Sequence, residues 1–208
     1  MTSPVDARIE LVAGAPANAW IVGDDEEVIV IDAGAAGDVL AAVGERAILA
    51  VICTHGHAGH IAGAREVAER DEAPIALHPL DRSAWRDVHS ADPDIAMEEG
   101  GQFDVAGVRI EVVHAPGHSR GSVLLYCEAL DVAFTGDVVT ERGPVARADG
   151  FPDWGRQLDA IGAHVLTLPL ETRLLPGHGP ELTVETADKS FSSWYSAGPD
   201  QSAAADEP

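Results

Sequence analysis

Positive charge is scarce in this chain: 13 Lys and Arg stand against 35 Asp and Glu in 208 residues, a net charge of −22. A surface of that sign repels nucleic-acid phosphates and anionic membranes, which argues against nuclease-like functions and leaves a small-molecule substrate as the expected partner. Lysine occurs once, at Lys189, and asparagine once, at Asn18. That bias, with Ala, Gly and Arg plentiful, reads as genome composition and carries no functional weight. Cysteine is limited to Cys53 and Cys127, each in an apolar run, so both read as buried reduced thiols rather than a disulfide. Met1 to Glu10 has neither the basic start nor the apolar core of a secretory leader, and no apolar run approaches a membrane span. The cytoplasm is therefore the expected address. There are no repeats and no internal linker, so residues 1–195 read as one domain and 196–208 as a disordered acidic tail. A hydrophobic content of 46% suits a globular core.

What the chain does have is histidine at one place. Thr54-His55-Gly56-His57-Ala58-Gly59-His60 follows an apolar run, Ala47–Cys53, that reads as a buried strand, and precedes Ile61–Arg70, where apolar residues recur at helical spacing. Three imidazoles thus lie on a strand-to-helix loop, at the carboxyl end of a strand, where α/β proteins place their chemistry. Residues i and i+2 of an extended turn point the same way, and the i+5 residue returns at the helix start.

The remaining segments repeat that arrangement. Strands are predicted over Arg8–Ala13, Ala19–Gly23, Glu27–Asp32, Pro74–His78, Gln102–Val105, Val108–His114, Ser122–Cys127, Val132–Thr135 and Thr172–Leu175. Helices are predicted over Asp38–Arg46, Asp153–His164 and Thr183–Tyr195. Pro79–Gly100 is polar and acidic and reads as a helix and loop beside the site. Strand ends lead into Asp32-Ala33-Gly34, Pro116-Gly117-His118-Ser119, Gly136-Asp137 and Pro176-Gly177-His178-Gly179. Imidazole and carboxylate donors without a thiolate suit zinc, iron or manganese, with zinc the default.

The ordered set THxHxxH, PGHS, Gly-Asp and PGHG resembles the metallo-β-lactamase fold superfamily, and within it the compact glyoxalase II-like hydrolases. The resemblance implies an α+β fold: a four-layer αββα sandwich. It places His55, His57 and His118 on a first metal, His60 and His178 on a second, and Asp137 as the bridging carboxylate. Asp32 resembles the acid that braces the histidine loop. The implied activity is hydrolysis of a small ester, thioester or amide by metal-activated water.

One departure stands out. The family pattern is HxHxDH, and here Gly59 replaces the acid. The second site then keeps only His60, His178 and the shared Asp137. Three outcomes follow: a weakened dinuclear hydrolase, a mononuclear enzyme, or an impaired relative. A mononuclear iron oxygenase resembling the persulfide dioxygenases would use His55, His118 and Asp137. The other alternative is a non-catalytic binding protein that inherited the fold. Only 30 residues follow His178, so the helical domain with which larger glyoxalase II enzymes bind glutathione is not expected. His114 and His164 read as structural, His78 and His89 as exposed or lining the cleft, and Arg120, Arg142 and Arg147 as solvated charges or grips for a substrate carboxylate. Trp194 and Tyr195 are expected to pack the last helix on the sheet.

Overall fold

Apolar β-branched runs bounded by Gly, Pro and Asp become strands here, and those over Ala19–Gly23, Glu27–Ile31 and Val132–Gly136 bury both of their faces. The computed structural model describes residues 6–14, 16–145 and 153–198. The first half of the chain gives β1 (Arg8–Val12), β2 (Ala19–Gly23), β3 (Glu27–Ile31), β4 (Ala47–Ile52), β5 (Ile75–Leu77) and β6 (Ile95–Ala96). These form one six-stranded sheet in sequence order. The second half gives β7 (Gln102–Val105), β8 (Val108–His114), β9 (Val123–Cys127), β10 (Val132–Gly136), β11 (Arg173–Pro176) and β12 (Leu182–Thr183). They make a second six-stranded sheet, again in sequence order.

Both sheets are mixed. β3, β4, β5 and β6 run parallel, as do β10 and β11, and the remaining neighbours are antiparallel. Between the sheets lies an apolar layer in which Trp20, Ile29, Ile31 and Ile52 meet Ile110, Leu125, Phe134 and Leu175. Trp20 and Phe134 meet edge-on at 6.1 Å between ring centroids. Outside the first sheet pack α1 (Ala36–Val43), α2 (Ala58–Ile61), α3 (Ala64–Glu69) and α4 (Arg82–Val88), through Val39, Ile61, Val67 and Trp85. Outside the second pack α5 (Trp154–Ala160), extended by one wide turn over Ile161–Val165, and α6 (Val184–Ala197), through Ile161, Val165, Val184 and Ala187. The result is the αββα sandwich that the motifs imply.

Several local expectations are corrected. The helix foreseen over Ile61–Arg70 is two helices, because the chain bends at Gly63, whose N–H donates to the Ala33 carbonyl at 2.8 Å. His60 consequently lies inside α2 rather than before a helix. β6 and β12 were not foreseen; each is two residues long. His78 and His89 are buried, not exposed: His89 Nε2 bonds the Ile61 carbonyl and His78 stacks on His114. Trp194 does pack against the outer layer of the second sheet, but Tyr195 is 72% exposed. α6 continues past Tyr195 to Ala197, while residues 199–208 and Arg147 lie outside the described residues. Among the described residues, no helix is long and apolar enough to cross a membrane.

Candidate metal centre

Five strand ends converge at one end of the sandwich. β3 delivers Asp32, β4 the His55–His60 loop, β8 His118, β10 Asp137 and β11 His178. Backbone bonds stitch these loops together: Val123 N–H to Thr54 O at 2.9 Å and Asn18 N–H to Gly177 O at 2.7 Å link the two sheets, and Gly177 N–H to Gly136 O at 2.8 Å joins two loops of the second. The approach is tight enough to require glycine at 177, where a β-carbon would lie 2.4 Å from His60 Cε1 and 2.7 Å from Asp137 Oδ1.

Asp32 organises the first of these loops. Its φ of 57° puts it in the left-handed region, which Asp tolerates better than most residues. From there its carboxylate accepts from Thr54 N–H (2.8 Å), Thr54 Oγ1 (2.7 Å) and His60 Nδ1 (2.9 Å). Because the Thr54 hydroxyl gives its proton to Asp32, its oxygen is left to accept from His55 Nδ1, 3.1 Å away. His118 Nδ1 donates to the Val145 carbonyl at 3.0 Å.

Three imidazoles therefore have Nδ1–H tied outward and Nε2 turned inward, the arrangement by which an outer partner fixes the tautomer of a metal-binding histidine. Nε2 of His60, His118 and His55 stands 3.4, 3.5 and 3.9 Å from Asp137 Oδ2. His57 presents Nδ1 instead, 3.0 Å from His118 Nε2. Two sets of ligand atoms lie within 4.8 Å of one another: His55, His57 and His118, and His55, His60 and Asp137.

The residues fit a cation on two observations. His55 Nε2 and His60 Nε2 are buried with no hydrogen-bond partner, a costly state for a polar atom unless a further group occupies the point between them. Donors roughly 2.1 Å from a tetrahedral ion stand about 3.4 Å apart, which matches the His60 and His118 spacings to Asp137.

Charge in the centre is divided unevenly. Burial is the largest influence on His55 and, with the neighbouring His60, His118 and His57, holds it well below the usual histidine range, so its lone pair is available. Burial also pulls His60 down, but Asp137 and Asp32 outweigh it and lift His60 to about 10. Burial opposes ionisation of Asp137, yet His60 and the His178 hydrogen bond overcome it and keep its carboxyl well below the ordinary range. In the metal-free protein a proton on His60 thus stands in for part of the missing positive charge.

His178 sits apart from both sets. Its Nδ1 contacts Asp137 Oδ1 at 2.8 Å, and its Nε2 donates to the Pro16 carbonyl at 2.9 Å. The side chain is 26% exposed. Gly59 lies in α2 with right-handed backbone, buried beside His60.

The Metallo-beta-lactamase superfamily profile matches residues 12–180. The chain belongs to that superfamily. Among its relatives in the superfamily, the probable metallo-hydrolase YqgX of Bacillus subtilis is 31% identical over 189 residues, 82% of this chain and 88% of its own length. A hydroxyacylglutathione hydrolase of Roseobacter denitrificans is 29% identical over 156 residues, 73% of this chain and 57% of its own. TTHA1623, solved in a di-iron-bound form, matches with a TM-score of 0.72 at 28% identity over 86% of this chain and 97% of its own.

Asn18 and Gln157 are among the contributors to this superfamily site that went unnoticed in the sequence. Asn18, dismissed there as compositional, is buried and gives both amide hydrogens to the His178 loop, at Pro176 O (3.1 Å) and Gly179 O (2.9 Å). Gln157 of α5, fully buried, donates to the carbonyls of Asp137 (3.1 Å) and Val138 (2.9 Å). For Asn18 the only sequence signal is an amide among apolar residues, and Gln157, beside Arg156 and Asp159, has none. The stacked His78 and His114 lie outside the centre, with His114 Nε2 on the Arg120 carbonyl, in agreement with a structural role for His114. Arg120 borders a cleft of about 320 Å³ with Leu80, Pro116 and Arg156.

Proposed function

We propose that the chain is a metal-dependent hydrolase of a small ester or thioester, with zinc as the metal and the cytoplasm as its place of action. The observation that carries this is the ring of inward-facing Nε2 atoms of His55, His60 and His118 around an ionised Asp137, those of His55 and His60 buried without a hydrogen-bond partner. His55, His57 and His118 would hold one ion, and His60, Asp137 and His178 a second. His178 would join by releasing Asp137 and offering Nδ1, its Nε2–H staying on the Pro16 carbonyl. Bound zinc lowers the pKa of its water to about 7 and polarises a carbonyl as a Lewis acid.

The chain's own groups do the rest. Asp32, Thr54 and the Val145 carbonyl hold the Nδ1 side of three imidazoles, so that their Nε2 atoms face the centre. Asp137, ionised and buried, supplies the negative charge that imidazoles lack. His57, only partly buried, lies at the solvent side of the centre, where a substrate would enter. The overall reaction consumes one water and splits an acyl bond into a carboxylic acid and an alcohol or thiol. The thioester option draws on the hydroxyacylglutathione hydrolase relative.

The test is metal analysis of protein purified without added metal, followed by an ester and thioester panel. Zinc at one or two equivalents, with hydrolysis lost in His118→Ala, supports the reading. A metal-free protein that leaves the panel untouched is a binding protein instead. A second reading rests on Gly59, which leaves the second site one carboxylate short: a mononuclear iron oxygenase on His55, His118 and Asp137. Stoichiometric iron with oxygen consumption on a persulfide would establish that reading in place of the first.

A further inference from the structure

Asp81 closes the single turn Pro79–Asp81 after β5 and is 5% exposed. Its carboxylate accepts three hydrogen bonds from two loops. Oδ2 takes the Gly56 N–H at 2.8 Å and the Ser119 hydroxyl at 2.6 Å, and Oδ1 takes the Gly121 N–H at 2.7 Å. Gly56 lies between His55 and His57; Ser119 follows His118 directly. One buried acid therefore holds the peptide joining two histidines and, on its other side, the residues next to the third.

We infer that Asp81 is the positioning residue of the first metal site, setting the separation between the His55/His57 pair and His118 and hence how tightly that trio grips a divalent cation. This rests on the ligand assignment proposed above. Three features separate the role from ordinary packing. A carboxylate is a costly filler, since burying it requires full hydrogen bonding where an apolar side chain would need none. Its surroundings are shaped for it: a β-carbon on Gly121 would come 2.8 Å from Asp81 Cγ, and one on Gly56 3.0 Å from Asp81 Cβ. Its principal donor is itself locked, because Ser119 Oγ lies 2.7 Å from Ser122 Oγ, which also accepts the Ser119 N–H at 3.0 Å.

The two buried acids divide the centre between them. Asp32 holds Thr54 and His60, whereas Asp81 holds Gly56, Ser119 and Gly121, with no donor in common. Perturbing Asp81 should leave His60 in place and perturbing Asp32 should leave His57 and His118, whereas His55, between Thr54 and Gly56, answers to both. Asp81→Asn keeps the shape but not the acceptors. If the amide nitrogen takes the Oδ1 place it faces the Gly121 N–H, and in the Oδ2 place it faces the Gly56 N–H. Either way one buried backbone donor is opposed by another donor, and one loop must shift.

The experiment follows the imidazole ¹⁵N–¹H resonances of His57, His118 and His60 in the full chain, first metal-free and then through a zinc titration with a competing chelator. Asp81→Asn should move the metal-free His57 and His118 resonances and raise the zinc needed to half-saturate them roughly 10–100-fold, leaving the metal-free His60 resonance where it is in wild type. Asp32→Asn should give the converse, moving His60. Should Asp81→Asn not fold, Ser119→Ala removes one bond of the three and should show the same pattern with a midpoint change of about 3–10-fold. Asp81 is only a packing residue if the variant loses thermal stability while the His57 and His118 resonances and their zinc midpoint stay within about twofold of wild type, below the range expected for a lost outer partner. If wild type takes up no zinc, the hydrolase reading falls, and the metal-free His57 and His118 resonances alone decide the role of Asp81.

Discussion

Replacing Asp32 by asparagine is the sharpest single perturbation of this centre. Asparagine is nearly isosteric and tolerates the left-handed backbone at φ 57°, so the change is one of hydrogen-bond polarity and charge rather than shape. The carboxylate accepts from Thr54 N–H, Thr54 Oγ1 and His60 Nδ1. An amide has one oxygen. If that oxygen stays on Thr54 N–H, the NH₂ faces His60 Nδ1, which must become an acceptor. His60, which carries a proton on each ring nitrogen in the metal-free protein, must then lose the one on Nδ1 and keep the one on Nε2, the atom that faces Asp137 at 3.4 Å, so Nε2 can no longer donate a lone pair to a cation. If the amide turns over, its NH₂ opposes the Thr54 N–H instead, at a cost of about 1–3 kcal/mol for a buried unsatisfied donor. Both routes penalise metal binding by a similar sum. Loss of such an outer partner typically lowers metal affinity roughly 10–100-fold, which corresponds to about 1.4–2.7 kcal/mol. Zinc affinity is read from competition with a chromophoric chelator, and the tautomer from ¹⁵N shifts of His60. An unchanged zinc affinity together with a proton still on Nδ1 would refute the reasoning and return Asp32 to an ordinary turn residue.

Other perturbations test separate parts of the structure. Gly59→Asp restores the carboxylate that the superfamily pattern carries; since Gly59 is right-handed and helical, a second zinc equivalent that resists chelator is expected, and no gain in bound metal would mean that the glycine is no lesion. Asn18→Asp turns two amide donors into acceptors facing the Pro176 and Gly179 carbonyls, so the metal-free protein should lose roughly 2–4 kcal/mol in denaturant unfolding. No measurable loss would show that the His178 loop holds itself. Burial, with Asp32 nearby, pushes the Cys53 thiol well above its ordinary range, so at about pH 8 iodoacetamide should leave Cys53 unmodified in the native protein and modify it after denaturation, as peptide mass spectrometry would show.

How much of this was legible beforehand depended on the range of the interaction. Ala47–Ile52 announces itself as an apolar run and Val108–His114 as an apolar–charged alternation, both local patterns, and the histidines beyond their ends follow from that placement. The stop of α1 at Gly44 was legible in principle: Gly44, at φ 64°, ends the helix before Arg46, where periodicity alone carried it on. The break at Gly63 was not, because its cause is a contact with Ala33 on another loop. Asp81 and Asn18 were equally invisible. Asp81 meets Ser119 across 38 residues, and Asn18 meets Pro176 across 158, separations at which no spacing in the sequence carries a signal. β6 and β12 exist only because a neighbouring edge was open to them, which is a property of the assembled sheet.

Each sheet is written by one continuous half of the chain, β1–β6 and then β7–β12. Among the described residues every strand pairing is therefore made within a half, and the halves recognise each other through side chains, loops and a few backbone bonds. The candidate ligands fall on both sides of that division: His55, His57 and His60 in one half, His118, Asp137 and His178 in the other. A cation held there is a cross-link between two pieces that could each begin folding from nearby contacts. At a concentration near one hundred times its dissociation constant, it would add about 2.7 kcal/mol to their association. Removing it would weaken the join without touching a residue inside either half, so the centre acts as a clasp as well as a place of reaction.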